Sequence, residues 1–162
     1  MRLFVAVWPP DDVLDAVAAL ERPDHPSVRW TTLEQWHVTL RFLGEVDEPP
    51  RDLLEPLATI TAPRVTIGPA TERLSGRVLM IPVHGLDEVA AAVRDVADTR
   101  PFRGHLTLAR ARQRGAKIPA SLAGAPIERS WVARRVALVR SHLGRRPAQY
   151  EDIQSVDLAK GA

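Results

Sequence analysis

The sequence contains no cysteine. That excludes a disulfide framework, a thiolate nucleophile and any cysteine-based metal site. Lysine is nearly as scarce: Lys117 and Lys160 stand alone among 22 basic residues, so the positive charge is almost wholly arginine. Arginine suits bidentate phosphate contacts, but a net charge of only +2 permits nucleic-acid binding without arguing for it. No apolar run approaches the ~20 residues that a membrane-spanning helix needs. The opening MRLFVAVWPPDD has a short apolar stretch, wrongly flanked for a signal peptide. The expectation is a cytoplasmic protein with no membrane partner. Three hydrolase and nucleotide signatures are also missing: H-E-x-x-H, the G-x-x-x-x-G-K-[ST] loop and G-x-S-x-G.

A chain of 162 residues is long enough for one domain, here expected as two small lobes sharing a core over residues 1–162. RLFVAV (2–7) reads as a strand closed by Trp8-Pro9-Pro10, and residues 11–22 as a helix with acids in its first turn and Val13, Leu14, Val17 and Leu20 at helical spacing. Strands are expected at 28–32 and 36–44, and a second helix at 50–60 on Leu53, Leu54 and Leu57. A strand pair over 64–74 and 77–83, turning at Ser75-Gly76, leads to a third helix over 85–98 and a strand at 104–110. Residues 111–130 read as irregular, with one helical turn possible at IPASL, and strands close the chain at 130–143 and 148–158. The order strand–helix–strand thus occurs twice, ending once at His37 and once at His105. A duplicated α+β unit implies a bilobal fold, with two antiparallel sheets related by a pseudo-twofold and facing a central cleft.

The two endpoints match in detail. WHVTL (36–40) and GHLTL (104–108) place two of only five histidines in the same His-x-Thr-Leu frame. From the chain's own composition one such tetrapeptide is expected in about thirty chains of this length, and two in one chain in about a few thousand. Side chains alternate along a strand, so His37 and Thr39 share one face, as do His105 and Thr107, while Val38, Leu40, Leu106 and Leu108 take the apolar face. Opposed across a cleft, two imidazoles can serve as acid and base on either side of a reacting centre. The threonine hydroxyls can donate to a non-bridging oxygen between them. Such a set fits attack of water on a phosphodiester, with no enzyme nucleophile. The His-x-Thr spacing supplies no paired metal ligands, so neither metal nor cofactor is expected. His25, His84 and His142 lie in contexts that suggest no chemistry.

VRWTTLEQWHVTLRFLGEV and PFRGHLTLAR resemble the two signatures of the 2H phosphoesterase superfamily, and are most similar to those of the LigT-like RNA 2′,3′-cyclic phosphodiesterases, a family that includes proteins known as 2′-5′ RNA ligases. RLFVAVWPP and the region of Tyr150 extend the resemblance over nearly the whole chain. It implies metal-independent opening of a ribonucleoside 2′,3′-cyclic phosphate to a 2′-phosphate, with His37 as acid, His105 as base, and Thr39 and Thr107 on phosphate oxygens. The implied partner is RNA with a cyclic phosphate end, or a small cyclic nucleotide, acted on by a monomer. The alternatives are 2′-5′ ligation, cleavage of 2′-5′ oligonucleotides, opening of a cyclic phosphate on an ADP-ribose derivative, and a non-catalytic RNA-end-binding module. The resemblance also puts a base between Phe42 and Arg110, five residues after each histidine. Strict alternation disagrees, since it sends both side chains to the core face; a bulge in each strand would reconcile the two. Gly104 stands where the family commonly has proline, which suggests a looser backbone there, and a shorter segment between the motifs suggests a more open groove. Arg100, Arg103, Arg110, Arg112, Arg114 and Lys117 form a basic stretch that reads equally as a phosphate-steering rim or a solvated loop.

Overall fold

The computed structural model describes residues 1–142, 144 and 148–161. Its strands are β1 (Arg2–Val7), β2 (Val28–Trp30), β3 (Val38–Glu45), β4 (Arg64–Ile67), β5 (Glu72–Ser75), β6 (Val78–His84), β7 (His105–Ala111), β8 (Arg129–Val132), β9 (Arg135–His142) and β10 (Gln149–Asp157). Among the described residues two α-helices accompany them, α1 (Asp11–Ala18) and α2 (Asp87–Ala92). The fold is α+β, as expected, and mostly sheet.

The strands run in the order β10-β9-β1-β3-β7-β6-β4-β8, with β2 beside β7 and β5 beside β6, and the named pairs are antiparallel. The sheets of the two lobes are continuous, but the seam between them is one backbone pair, Val38 with Leu106. α1 buries Val13 and Val17, and α2 buries Val89 and Ala90, in one apolar cluster with Leu3, Val5 and Val7 of β1. The other face of β1 is also covered: Phe4 and Ala6 pack with Ala137 and Val139 of β9 beneath Trp8 and Tyr150. β1 is therefore buried on both sides, which explains its unbroken apolar run.

Several elements differ from the expectation. Residues 50–60 form turns and a short 3₁₀ segment, Glu55–Thr59, instead of a helix. Pro56 lies in the middle of that stretch, and a proline there removes an amide donor and clashes with the preceding turn; Leu54 and Leu57 are buried nonetheless. The helix expected over 85–98 stops at Ala92, where Asp95 accepts the amide of Ala97 and so offers the backbone a turn in place of a helix. α1 ends at Ala18, with the Arg22 guanidinium on the carbonyls of Val17 and Ala18. Residues 64–74 and 130–143 each divide into two strands, β4/β5 and β8/β9, and Leu143 lies outside the described residues. His142 ends β9, where it contacts Glu151 of β10, so it does not sit in a turn.

Candidate active site

β3 and β7 meet at Val38 and Leu106. Continuing that antiparallel register sets His37 beside Thr107 and Thr39 beside His105, with the pseudo-twofold passing between them. The repeated tetrapeptides are thus brought together as a reciprocal pair.

Both strands carry a bulge at the same offset from their histidine. Val5 pairs with Arg41 but Ala6 with Thr39, leaving Leu40 extra in β3. Leu79 pairs with Ala109 but Met80 with Thr107, leaving Leu108 extra in β7. Each bulge shifts the alternation by one residue. Leu108 and Ala109 are consequently both buried, and Phe42 and Arg110 emerge exposed on the face of the histidines. The spare carbonyl of Leu108 is satisfied by Thr31, whose amide and hydroxyl donate to it at 2.8 and 2.9 Å. Thr31 in turn accepts the indole N–H of the buried Trp36 at 3.0 Å. A stretch of the first signature thereby fixes the bulge of the second motif.

The histidines are oriented alike. His37 Nδ1 lies 2.6 Å from the carbonyl of Gln35, and His105 Nδ1 lies 2.7 Å from that of Arg103. A carbonyl only accepts, so each Nδ1 carries the hydrogen and each Nε2 is the nitrogen free to exchange protons. Thr39 donates its hydroxyl to His37 Nε2 at 2.9 Å. His105 Nε2 has no partner among the described residues.

The surroundings are unequal. His37 stands in an aromatic enclosure, with ring centroids at 4.8 Å to Phe4, 5.5 Å to Trp8 and 5.3 Å to Tyr150. Phe42 extends the cluster, 6.2 Å from Phe4. Trp8 is held by its indole N–H on Asp152 at 2.9 Å. Burial in this apolar setting pushes the His37 pKa down to about 4; the bond to Gln35 opposes the shift, and the charges of Arg110 and His105 add to it. Burial raises the Tyr150 phenol above its ordinary value. Among the described residues no aromatic ring contact involves His105, in contrast to His37.

The enclosure of Phe4, Trp8 and Tyr150 was not among the residues the motifs single out. Its signal is the alternation Phe4, Ala6, Trp8 along a strand whose intervening residues are all aliphatic. Gly104 reverses an expectation: a Cβ there would lie 2.4 Å from the carbonyl of Val83, so glycine permits a close approach where looseness was expected. The basic stretch is not a unit. Arg100 is paired with Asp98, Arg103 with Glu72, and Arg112 donates to the carbonyl of Val28, while Arg110 faces the histidines. Among the described residues no three His, Asp or Glu side chains converge as a metal site. No helix there is long and apolar enough to cross a membrane.

Residues 7–68, which include the first motif, match the family model of LigT-like phosphoesterases. An RNA 2′,3′-cyclic phosphodiesterase of Thermus thermophilus is 29% identical over 98% of this chain and 90% of its own length. A solved structure from Thermus thermophilus superposes with a TM-score of 0.77 at 27% identity, covering all of both chains. E. coli LigT in complex with NADP⁺ superposes with a TM-score of 0.73 at 27% identity over 98% of each chain, and that protein has also been solved with 3′-AMP and with phosphate.

Proposed function

We propose that this chain is a LigT-like phosphoesterase of the 2H superfamily, which its likeness to that family supports, and that it opens 2′,3′-cyclic phosphate ends of RNA or nucleotides to 2′-phosphates, using His37 and His105 as the acid–base pair. What supports the reading is the reciprocal pair itself: two imidazoles, each with Nδ1–H on a backbone carbonyl and Nε2 left to exchange a proton, on segments that meet at Val38 and Leu106.

Water held by His105 Nε2 gives up a proton and its oxygen attacks phosphorus. The P–O3′ bond breaks as His37 Nε2 delivers a proton to the leaving O3′, and the phosphate remains on O2′. Thr39 and Thr107 donate to the non-bridging oxygens, and the terminal base stacks on Phe42 and Arg110. In the free chain the low pKa keeps His37 neutral at pH 7. It therefore gains its proton with the substrate, whose phosphate charge beside Nε2 offsets the desolvation. No step draws on a metal ion, and the site is complete within one chain.

The test is single-turnover hydrolysis of a cyclic-phosphate RNA end in excess EDTA by wild type, His37→Ala, His105→Ala and the double variant. Each single change lowers kcat by ~10²–10⁴, and the double variant is little worse than either, because the two groups act as a unit. A folded single variant at wild-type rate, or a wild type silenced by EDTA and restored by a divalent ion, refutes the mechanism.

A further inference from the structure

β2 lies against β7 with Arg29 directly opposite Arg110. Residues opposite one another in an antiparallel pair project from the same face, close together, and like charges so placed repel. Both arginines are exposed, and flanking Val28 and Ala111 are buried on the other face. Neither guanidinium has a hydrogen-bond or ion-pair partner among the described residues. Other arginines of the neighbourhood are engaged: Arg103 with Glu72, Arg77 with the carbonyls of Gln113 and Ala116, Arg112 with the carbonyl of Val28. Two unneutralised guanidiniums therefore stand side by side on the cleft face, about one same-face step of roughly 7 Å along β7 from Thr107.

We propose that Arg29 and Arg110 together seat a second phosphate of the substrate, the one on the 5′ side of the terminal nucleoside, while the cyclic phosphate lies between the histidines. The inference rests on the cyclic-phosphate reading of the main site. It adds Arg29 to the binding residues and narrows the substrate to one with a 5′-phosphate or 5′-phosphodiester. An anion bridging the two guanidiniums turns their repulsion into two charge-assisted contacts, and it leaves the planar face of Arg110 available to the base.

The experiment compares adenosine 2′,3′-cyclic phosphate with and without a 5′-phosphate, and the dinucleotide carrying the same cyclic end, on wild type, Arg29→Gln and Arg29→Lys. Wild type should prefer the 5′-phosphorylated and dinucleotide substrates by about tenfold in kcat/KM, chiefly through KM. Arg29→Gln should lose that preference and Arg29→Lys recover part of it. The salt dependence of dinucleotide binding should flatten by about 0.7 in log–log slope for one lost phosphate contact. The Tm of Arg29→Gln should not fall, because the change relieves a like-charge pair. Calorimetric binding of adenosine 2′,5′-bisphosphate against adenosine 2′-phosphate gives the same comparison without turnover. An unchanged preference in Arg29→Gln, or no preference in wild type by either measurement, overturns the second seat. Absence of turnover on all three substrates, with the bisphosphate preference intact, overturns the hydrolase reading and leaves the seat standing.

Discussion

His37 illustrates how one side chain couples the fold to pH. The unfolded chain takes up its proton near the ordinary value of 6.5, whereas the folded chain resists until about pH 4 because the ring is desolvated by Phe4, Trp8 and Tyr150. Between those values the unfolded state binds more protons, so this residue's contribution is full above pH 6.5 and is lost as pH falls toward 4. The loss is on the order of 3 kcal/mol. Urea titrations of wild type and His37→Gln at about pH 7 and about pH 4.5 should show it: the variant has the shallower fall, and equal falls would mean that His37 is not desolvated. The same residue makes a prediction about ligands. A cyclic phosphodiester does not titrate near neutrality, so its binding to His105→Ala at pH 7 should draw up to one proton from the buffer, read as a buffer-dependent enthalpy. Binding without proton uptake would remove His37 from the acid role.

At the scale of elements, the two bulges decide which side chains reach the cleft. Thr31 holds one of them, donating twice to Leu108 while accepting from Trp36. Thr31→Val keeps the shape and the backbone bond to Leu108 but removes the hydroxyl bond to the bulge and strands the buried Trp36 indole, so it should cost about 1–3 kcal/mol in chemical denaturation and raise KM by loosening the bulge that presents Arg110. A variant with wild-type stability would show that the bulge needs no such support. The strands that carry the histidines were legible in the sequence, because apolar alternation and the repeated tetrapeptide agree there. The bulges were visible only as a contradiction, between a resemblance that puts Phe42 and Arg110 at the site and an alternation that puts them in the core. Helix lengths were less legible. Leu53, Leu54 and Leu57 keep helical spacing through 50–60, but Pro56 forbids the hydrogen bonds; Leu54 and Leu57 stay buried while the backbone takes another form.

For the whole molecule, the duplicated unit read from the sequence appears as two sheets joined at Val38 and Leu106, with one apolar cluster reaching from α1 to α2. What the repeat could not show is how far its halves have diverged: among the described residues His37 is walled by aromatic rings, and no ring contact involves His105. Arg29 was also out of reach, since its relation to Arg110 exists only through the pairing of β2 with β7. The reciprocal geometry at the seam is that of an isologous contact, in which two copies of one edge meet about a twofold axis and each lends the same group to a shared centre. Here the two copies lie on one polypeptide. Their stoichiometry is fixed at one to one, and dilution cannot part them. Specific activity should therefore stay constant as enzyme concentration falls through the picomolar range, as it would not for a centre assembled from two dissociating halves.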